Sequence, residues 1–199
     1  MLVKTILFDL DGVVIKREEY FSDRFSKDFN VDIHKILPFF KNEFQSCLAG
    51  KADLRVELAK YLPIWGWTKS VDDLLEYWFS AESRLDPDIL GSVKELREKG
   101  HECFIQTSNA NERLIYLKEK TVLERSFDGI FASCDLGVLK PDFKFWEAVY
   151  QKLPVKPIEE ILVIDDDQDN IDSANKFGFK THLFQNFEAY QENISDFLA

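Results

Sequence analysis

The stretch Val3–Gly12, VKTILFDLDG, decides how the rest of the chain is read. Its first six residues are β-rich and apolar apart from Lys4, and the run stops abruptly at Asp9-Leu10-Asp11-Gly12. A short apolar segment closed by turn residues reads as a strand buried on both faces, as in a parallel sheet. The run is too short for the apolar region of a signal peptide or for a membrane span.

Outward from this strand, the second half of the chain alternates strand and helix. Asp86-Pro87 supplies an N-cap and an N1 proline, and Ile89, Leu90, Val93 and Leu96 form an apolar stripe that ends at Gly100. Strand ECFIQT (102–107) precedes a helix over NANERLIYLKEK (109–120). Strand GIFAS (129–133) leads to the loop CDLGVLKPD (134–142) and to a helix with Phe145, Trp146, Val149, Tyr150 and Leu153 on its apolar side. Strand EILVI (160–164) runs into DDDQDN, a helix ends near Gly178, and strand FKTHLF (179–184) precedes a last helix. Strands separated by helices of about ten to fifteen residues predict an α/β fold with a doubly wound parallel sheet and right-handed crossovers. Residues 15–83 break this rhythm. EEYFSDRFSKDF, DIHKILPFFKNEFQSCLA, DLRVELAKYL and SVDDLLEYWFSAES carry apolar residues at three- and four-residue intervals, with no β-rich run between them. The expected organisation is therefore an α/β core over 1–14 and 84–199 with an inserted helical cap over 15–83.

At 199 residues and 45% apolar, the chain can bury a sizeable core. Its net charge of −11 repels nucleic-acid backbones and anionic lipid, so neither is an expected partner. Cys47, Cys103 and Cys134 are odd in number and show no CxxC spacing, as expected for reduced thiols of a cytoplasmic protein.

In an open parallel sheet, ligands bind beyond the carboxyl ends of the strands, and polar residues collect there four times in this chain. They are Asp9-Leu10-Asp11-Gly12, Thr107-Ser108-Asn109, Lys140-Pro141 and Asp165-Asp166-Asp167. Two carboxylates beside a glycine that lets the backbone turn can divide the work of nucleophile and general acid/base at a phosphorus atom. Asp9 and Asp166, with a backbone carbonyl, suit an octahedral Mg²⁺ that keeps several waters. Ser108 and Asn109 read either as an ordinary helix N-cap or as an anion site at a helix N-terminus. Lys140 reads either as a solvated loop lysine or as the cation that neutralises carboxylate and phosphate charge.

ILFDLDGVV (6–14), QTSNA (106–110), LGVLKPD (136–142) and LVIDDDQDNIDSA (162–174), in that order, resemble the four motifs of the haloacid dehalogenase-like hydrolase superfamily. The helical insertion resembles that superfamily's small α-helical cap, as in sugar-phosphate phosphatases and the phosphatase-like domain found beside epoxide hydrolases. The resemblance implies a magnesium-dependent phosphatase acting on a small phosphorylated metabolite such as a sugar phosphate. Asp9 would form an aspartyl-phosphate. Asp11 would serve as acid and then base. Ser108 with neighbouring N–H groups, Asn109 among them, would hold the phosphoryl oxygens, and Lys140 would pair with Asp9 and the phosphate. Mg²⁺ would be held by Asp9, the Asp11 carbonyl and Asp166. Asp165 would be a second ligand through water, and Asp167 an N-cap. Val13 departs from the Thr that many members carry. The superfamily's dehalogenases lack an acid at the position of Asp11, so its presence favours phosphoryl transfer. A phosphomutase and a non-catalytic binding module are the alternatives.

The turn GKADLR resembles the stretch where related caps present substrate-facing residues, which makes Lys51 and Arg55 candidates for specificity. A lysine after a glycine at a helix boundary is also commonly an exposed, idle one. Trp65 and Trp67 read either as a stacking surface for a sugar or base, or as packing between cap helices. His34, His101 and His182 fit no ligand spacing.

Overall fold

The computed structural model describes residues 2–16, 18–154 and 157–198; the expected core limits at Met1 and Ala199 lie outside the described residues. Five parallel strands, β1 (Thr5–Asp9), β2 (Glu102–Thr107), β3 (Gly129–Ala132), β4 (Ile161–Asp165) and β5 (Lys180–Leu183), form one sheet in the order β3-β2-β1-β4-β5. The order reverses direction at β1, so β1 flanks the switch point where such sheets open a crevice. Both central strands are buried at every position, which is why their sequences are continuously apolar instead of alternating.

Between β1 and β2 the chain leaves the sheet to build α1 (Phe21–Phe29), α2 (Ile33–Lys41), α3 (Glu43–Leu48), α4 (Leu54–Ala59) and α5 (Val71–Ala81), then returns through α6 (Pro87–Glu98). The remaining helices are α7 (Asn111–Lys120), α8 (Leu123–Ser126), α9 (Ser133–Leu136), α10 (Phe143–Lys152), α11 (Gln168–Phe177) and α12 (Phe187–Leu198). Outgoing and returning passes lie side by side: Ile15 bridges Leu85, Asp86 N donates to Val14 O at 2.8 Å, and Lys16 pairs with Asp86.

The helices over residues 21–81 bury their own core. Phe21, Phe25, Ile36, Phe39, Leu58, Trp65, Trp78 and their neighbours form a cluster whose one buried member from the sheet half is Ala110. Two further clusters cover the two faces of the sheet. The aromatic excess of the chain is largely spent here, because short helices have few turns and so few inward-facing residues each, and large rings supply the area they need. The run 32–49 is helical in two pieces. It breaks at Asn42, whose backbone N–H and side-chain amide both donate to Pro38 O, a local bond that competes with helix continuation. Among the described residues, no helix is long and apolar enough to cross a membrane.

Candidate active site

Register places the chemistry. Asp9 ends β1 opposite Gln106, and Phe8 lies opposite Ile164, so Asp165 at the end of β4 falls beside Asp9. Lys140 reaches both, with Nζ donating to Asp9 Oδ1 at 2.8 Å and to Asp165 Oδ2 at 2.7 Å. Its side chain is 4% exposed. Burial opposes the charge of Lys140, but the two carboxylates outweigh burial and raise its pKa, so it stays protonated. Burial raises the pKa of Asp9 above its ordinary value, Lys140 pulls it back down, and Asp165 and Asp11 push it further up. Both recorded hydrogen bonds to Asp9, from Leu10 N at 2.7 Å and from Lys140, end on Oδ1. Among the described residues, none is recorded on Oδ2. One oxygen is thus pinned while the other is available to attack.

The two neighbouring acids of the fourth cluster differ. Asp165 is fully buried and accepts from Gln106 and Lys140 on Oδ2, and from Asp167 N and Asn170 on Oδ1. Four donors fill a carboxylate, so Asp165 acts on its neighbours by positioning them and has little left for a metal or its waters. Asp166 points the other way along the strand end. A Cβ on Gly12 would stand 2.1 Å from Asp166 Oδ2, and Gly12 has φ +99°, so only glycine lets the first loop pass this close to that carboxylate. Carboxylate oxygens of Asp9, Asp165 and Asp166 lie within 4.8 Å of one another. Among the described residues, Lys140 pairs with Asp9 and Asp165 and Arg113 with Asp11, and three carboxylates this close together offer the oxygen ligands that a divalent cation takes. The residues therefore fit Mg²⁺. Asp167 caps α11, accepting from Asp169 N and Asn170 N.

Asp11 is held from a direction the motifs do not announce. Arg113, with its side chain 8% exposed, grips it with two parallel bonds of 2.6 Å, and Asn109 Nδ2 adds a third at 2.8 Å. Arg113 also donates to Asn109 Oδ1 and to Glu82 O, where the cap returns to the sheet. Burial works against the arginine's charge, but Asp11 more than compensates. A signal for this residue was present: Ala110, Arg113, Leu114 and Leu117 share one face of α7, and a charge on an otherwise apolar stripe needs a partner.

Asn109 was expected at the phosphate. Its backbone N–H instead donates to Ser133 Oγ and its amide to Asp11 and Thr107, so its donors are spent inside the protein. Neither Ser108 nor Asn109 caps a helix, because α7 starts later, with Ala110 at its N-cap. Ser108 Oγ accepts from Lys140 N at 3.1 Å and lines the cavity of about 450 Å³ that also contains Asp9, Asp11, Lys140 and Asp166.

A second cavity, of about 730 Å³, lies between cap and sheet and shares Asp11, Tyr20 and Ser108 with the first. Lys51 and Arg55 line neither. The turn that carries Lys51 is a footing of the cap on the sheet half: a Cβ on Gly50 would stand 2.1 Å from Cys134 O, and Ser133 Oγ donates to Leu48 O at 2.6 Å. Lys51 is left exposed, and Arg55 is paired with exposed Asp72. Trp65 is buried with its indole N–H on Lys35 O, and Trp67 donates to Ser70 O, so both serve packing within the cap. His182 is half-buried on β5, away from both cavities.

Residues 6–184 match the family model described as haloacid dehalogenase-like hydrolase. The chain is 25% identical to the pyrophosphatase PpaX of Bacillus cereus (strain Q1), over 91% of this chain and 82% of that protein. It is 32% identical over 95 residues to the sesquiterpene phosphatase astK of Aspergillus oryzae, covering 48% of each. Two other curated relatives are matched over only 13% and 21% of their own length. Among solved structures, the HAD family enzyme bt-2542 of Bacteroides thetaiotaomicron, in complex with magnesium and inorganic phosphate, superposes with a TM-score of 0.78 at 20% identity, over 92% of this chain and 94% of that one. With the parallel sheet, the strand-end carboxylates and a family match that runs from the first strand to the last, the chain belongs to the haloacid dehalogenase-like hydrolases.

Proposed function

We propose that this chain is a magnesium-dependent phosphatase that hydrolyses a small phosphate monoester through an aspartyl-phosphate on Asp9. The observation that carries the reading is the asymmetric state of Asp9, with Oδ1 fixed by Lys140 and the backbone while Oδ2 faces no recorded donor. Relatives named as a pyrophosphatase and a sesquiterpene phosphatase, and a magnesium and phosphate complex of a protein with this fold, are consistent with phosphate release.

In the proposed sequence, Asp9 Oδ2 forms a bond to phosphorus as the ester P–O bond breaks and its electron pair leaves with the alcohol oxygen. Asp11 gives that oxygen its proton. Asp11 then takes a proton from water, the resulting hydroxide oxygen bonds to phosphorus, and the acyl-phosphate P–O bond breaks to restore Asp9. Lys140 and Ser108 orient the phosphoryl oxygens, and Lys140 offsets their charge. Asp9, Asp166 and the Asp11 carbonyl would hold Mg²⁺, which supplies further charge neutralisation when bound. A proton on Asp11 is incompatible with both clamp bonds from Arg113 at once, so the acid step requires one of them to open. Because Arg113 also holds Glu82 O, that opening is tied to the segment that joins the cap to the sheet half. Three free cysteines suit a reducing, cytoplasmic setting.

The test is phosphate release from a broad panel of phosphate esters, with Mg²⁺ and with EDTA, for the wild-type chain and Asp9→Asn. Release that needs the metal and vanishes in the isosteric variant is the expected result. Release that survives Asp9→Asn would overturn the mechanism. Isomerised sugar phosphate in place of free phosphate would move the chain to the mutases.

A further inference from the structure

We infer that the leaving group accommodated by this chain is an apolar alcohol, so that its substrates are phosphate esters of aliphatic or isoprenoid-like chains instead of sugar phosphates. The inference rests on the phosphatase reading above and adds the substrate class to it. Ile33, Leu37 and Phe40 recur at four- and three-residue steps on one face of α2, Phe44 and Leu48 at a four-residue step on α3, and the cavity brings the two faces together. The joined face is distinct from the one that carries Ile36, Phe39 and Cys47 into the cap core. It is half-buried and, with Trp78, lines the cavity of about 730 Å³. Phe40, Phe44 and Leu48 also pack against the edge of that core, whereas Ile33 and Leu37 extend the apolar surface along the cavity beyond it.

The cavity is continuous in its lining with the phosphate-handling cavity through Asp11, Tyr20 and Ser108, which sets the reacting oxygen at the mouth of the apolar chamber. A second anionic group finds no welcome there. Among the described residues on its wall, Arg24 is committed to Tyr77 and Trp78 O, Lys16 to Asp86 and Arg113 to Asp11. The remaining charges that the described residues bring to its rim, such as Glu19 and Asp23, are acidic. Along the apolar face itself sugar hydroxyls would meet few partners, since Gln45 is turned to Phe40 O, Asn109 to Asp11, and acceptors such as Glu19 and Asp23 stand at the rim. A hydroxyl-rich ligand loses water bonds on such a wall without regaining them. An alkyl chain gains about three- to fourfold in binding per methylene drawn from water.

The experiment measures kcat/KM for n-alkyl phosphates from ethyl to decyl, each below its micelle-forming concentration, beside glucose and fructose phosphates, with Mg²⁺. In parallel, calorimetry measures the binding of the matching alkylphosphonates, which cannot turn over. The expected result is a rise on the order of a thousandfold in kcat/KM from ethyl to octyl, paralleled in phosphonate affinity, with the sugar phosphates near the ethyl ester. Leu37→Asp should lower the octyl-to-ethyl ratio tenfold or more. Phosphate release that is flat with chain length, or greatest for a sugar phosphate, would overturn the substrate class while leaving the phosphatase reading intact. No release from any ester, with phosphonate affinity still rising steeply with length, would sink the phosphatase reading and retain the apolar site. Phosphonate affinity that does not rise with length overturns the inference whatever the turnover.

Discussion

Replacing Arg113 by Met removes a guanidinium that holds Asp11 by two bonds of 2.6 Å and also donates to Asn109 Oδ1 and Glu82 O. The side chains of the pair are 8% and 21% exposed, so the arginine is buried while water retains some access to Asp11. Breaking a fully buried pair from one side costs about 3–5 kcal/mol, because the remaining charge is stranded. Partial access of water to Asp11 puts the expected cost at the low end, about 3 kcal/mol. For a domain of this size that lowers Tm by roughly 6–12 °C, leaving a folded protein to assay. With Asp11 no longer aimed, kcat should fall by about 100-fold, the usual penalty for a catalytic group misplaced by an ångström. The loss should fall on kcat more than on KM, because Arg113 does not line the cavity that contains Asp9, Ser108 and Lys140. Urea titration and steady-state kinetics on wild type, Arg113→Met, Asp11→Asn and the double variant close a cycle. The stability cost of Arg113→Met should shrink by about 2 kcal/mol when Asp11 is already Asn. A loss under about 1 kcal/mol, no coupling to Asp11, and kcat within threefold of wild type would together refute the clamp.

Asp166→Ala should raise the Mg²⁺ concentration needed for half-maximal activity at least tenfold with little change in Tm. Asp165→Ala should lower Tm strongly, since it leaves Lys140, Gln106 and Asn170 each short of a buried acceptor; titration calorimetry and thermal melts separate the two. His182 has its pKa lowered by burial, and its Nε2 has no recorded partner. Because the unfolded chain binds that proton more readily, this contribution is fully present above about pH 6.5 and is lost as pH falls below it. Urea midpoints at pH 7.5 and 5.5 should therefore differ more in wild type than in His182→Phe. Lys51→Ala and Arg55→Ala should leave kcat/KM for every ester tested within twofold, and a larger loss would mean that the cap turn reaches the substrate after all.

Much of this architecture is readable from the chain alone, and the reason is local. Apolar runs such as TILFD and ILVID can be strands buried on both faces and little else, and the polar residues that terminate them must emerge at one edge of a parallel sheet. Asp9, Asp11, Lys140 and Asp166 could thus be nominated for one site from where they stand relative to strand ends. Local pattern could not say which of two adjacent acids is spent inside. Asp165 and Asp166 alternate in direction, and only the neighbours that β1, β2 and α11 bring up show that the first is filled by four donors. Nor could it pair Arg113 with Asp11 across 102 residues, or show that Asn109 spends its donors inward.

The cap shows the same division. Its helices and their apolar intervals lie in the sequence, because period and capping are properties of a few consecutive residues, as in the Ser70–Asp73 capping box that opens α5. Which apolar stripe closes a core and which is left to line a chamber depends on what packs opposite. So does whether Lys51 faces a substrate or the solvent. Both outcomes follow from how the cap sits on the sheet half, with Gly50 backed against Cys134 and Leu54 N bound to Glu112. Residue type and spacing determined the fold and the candidate carboxylates; long-range packing alone decided which partners hold them and which apolar face lines the cavity beside them.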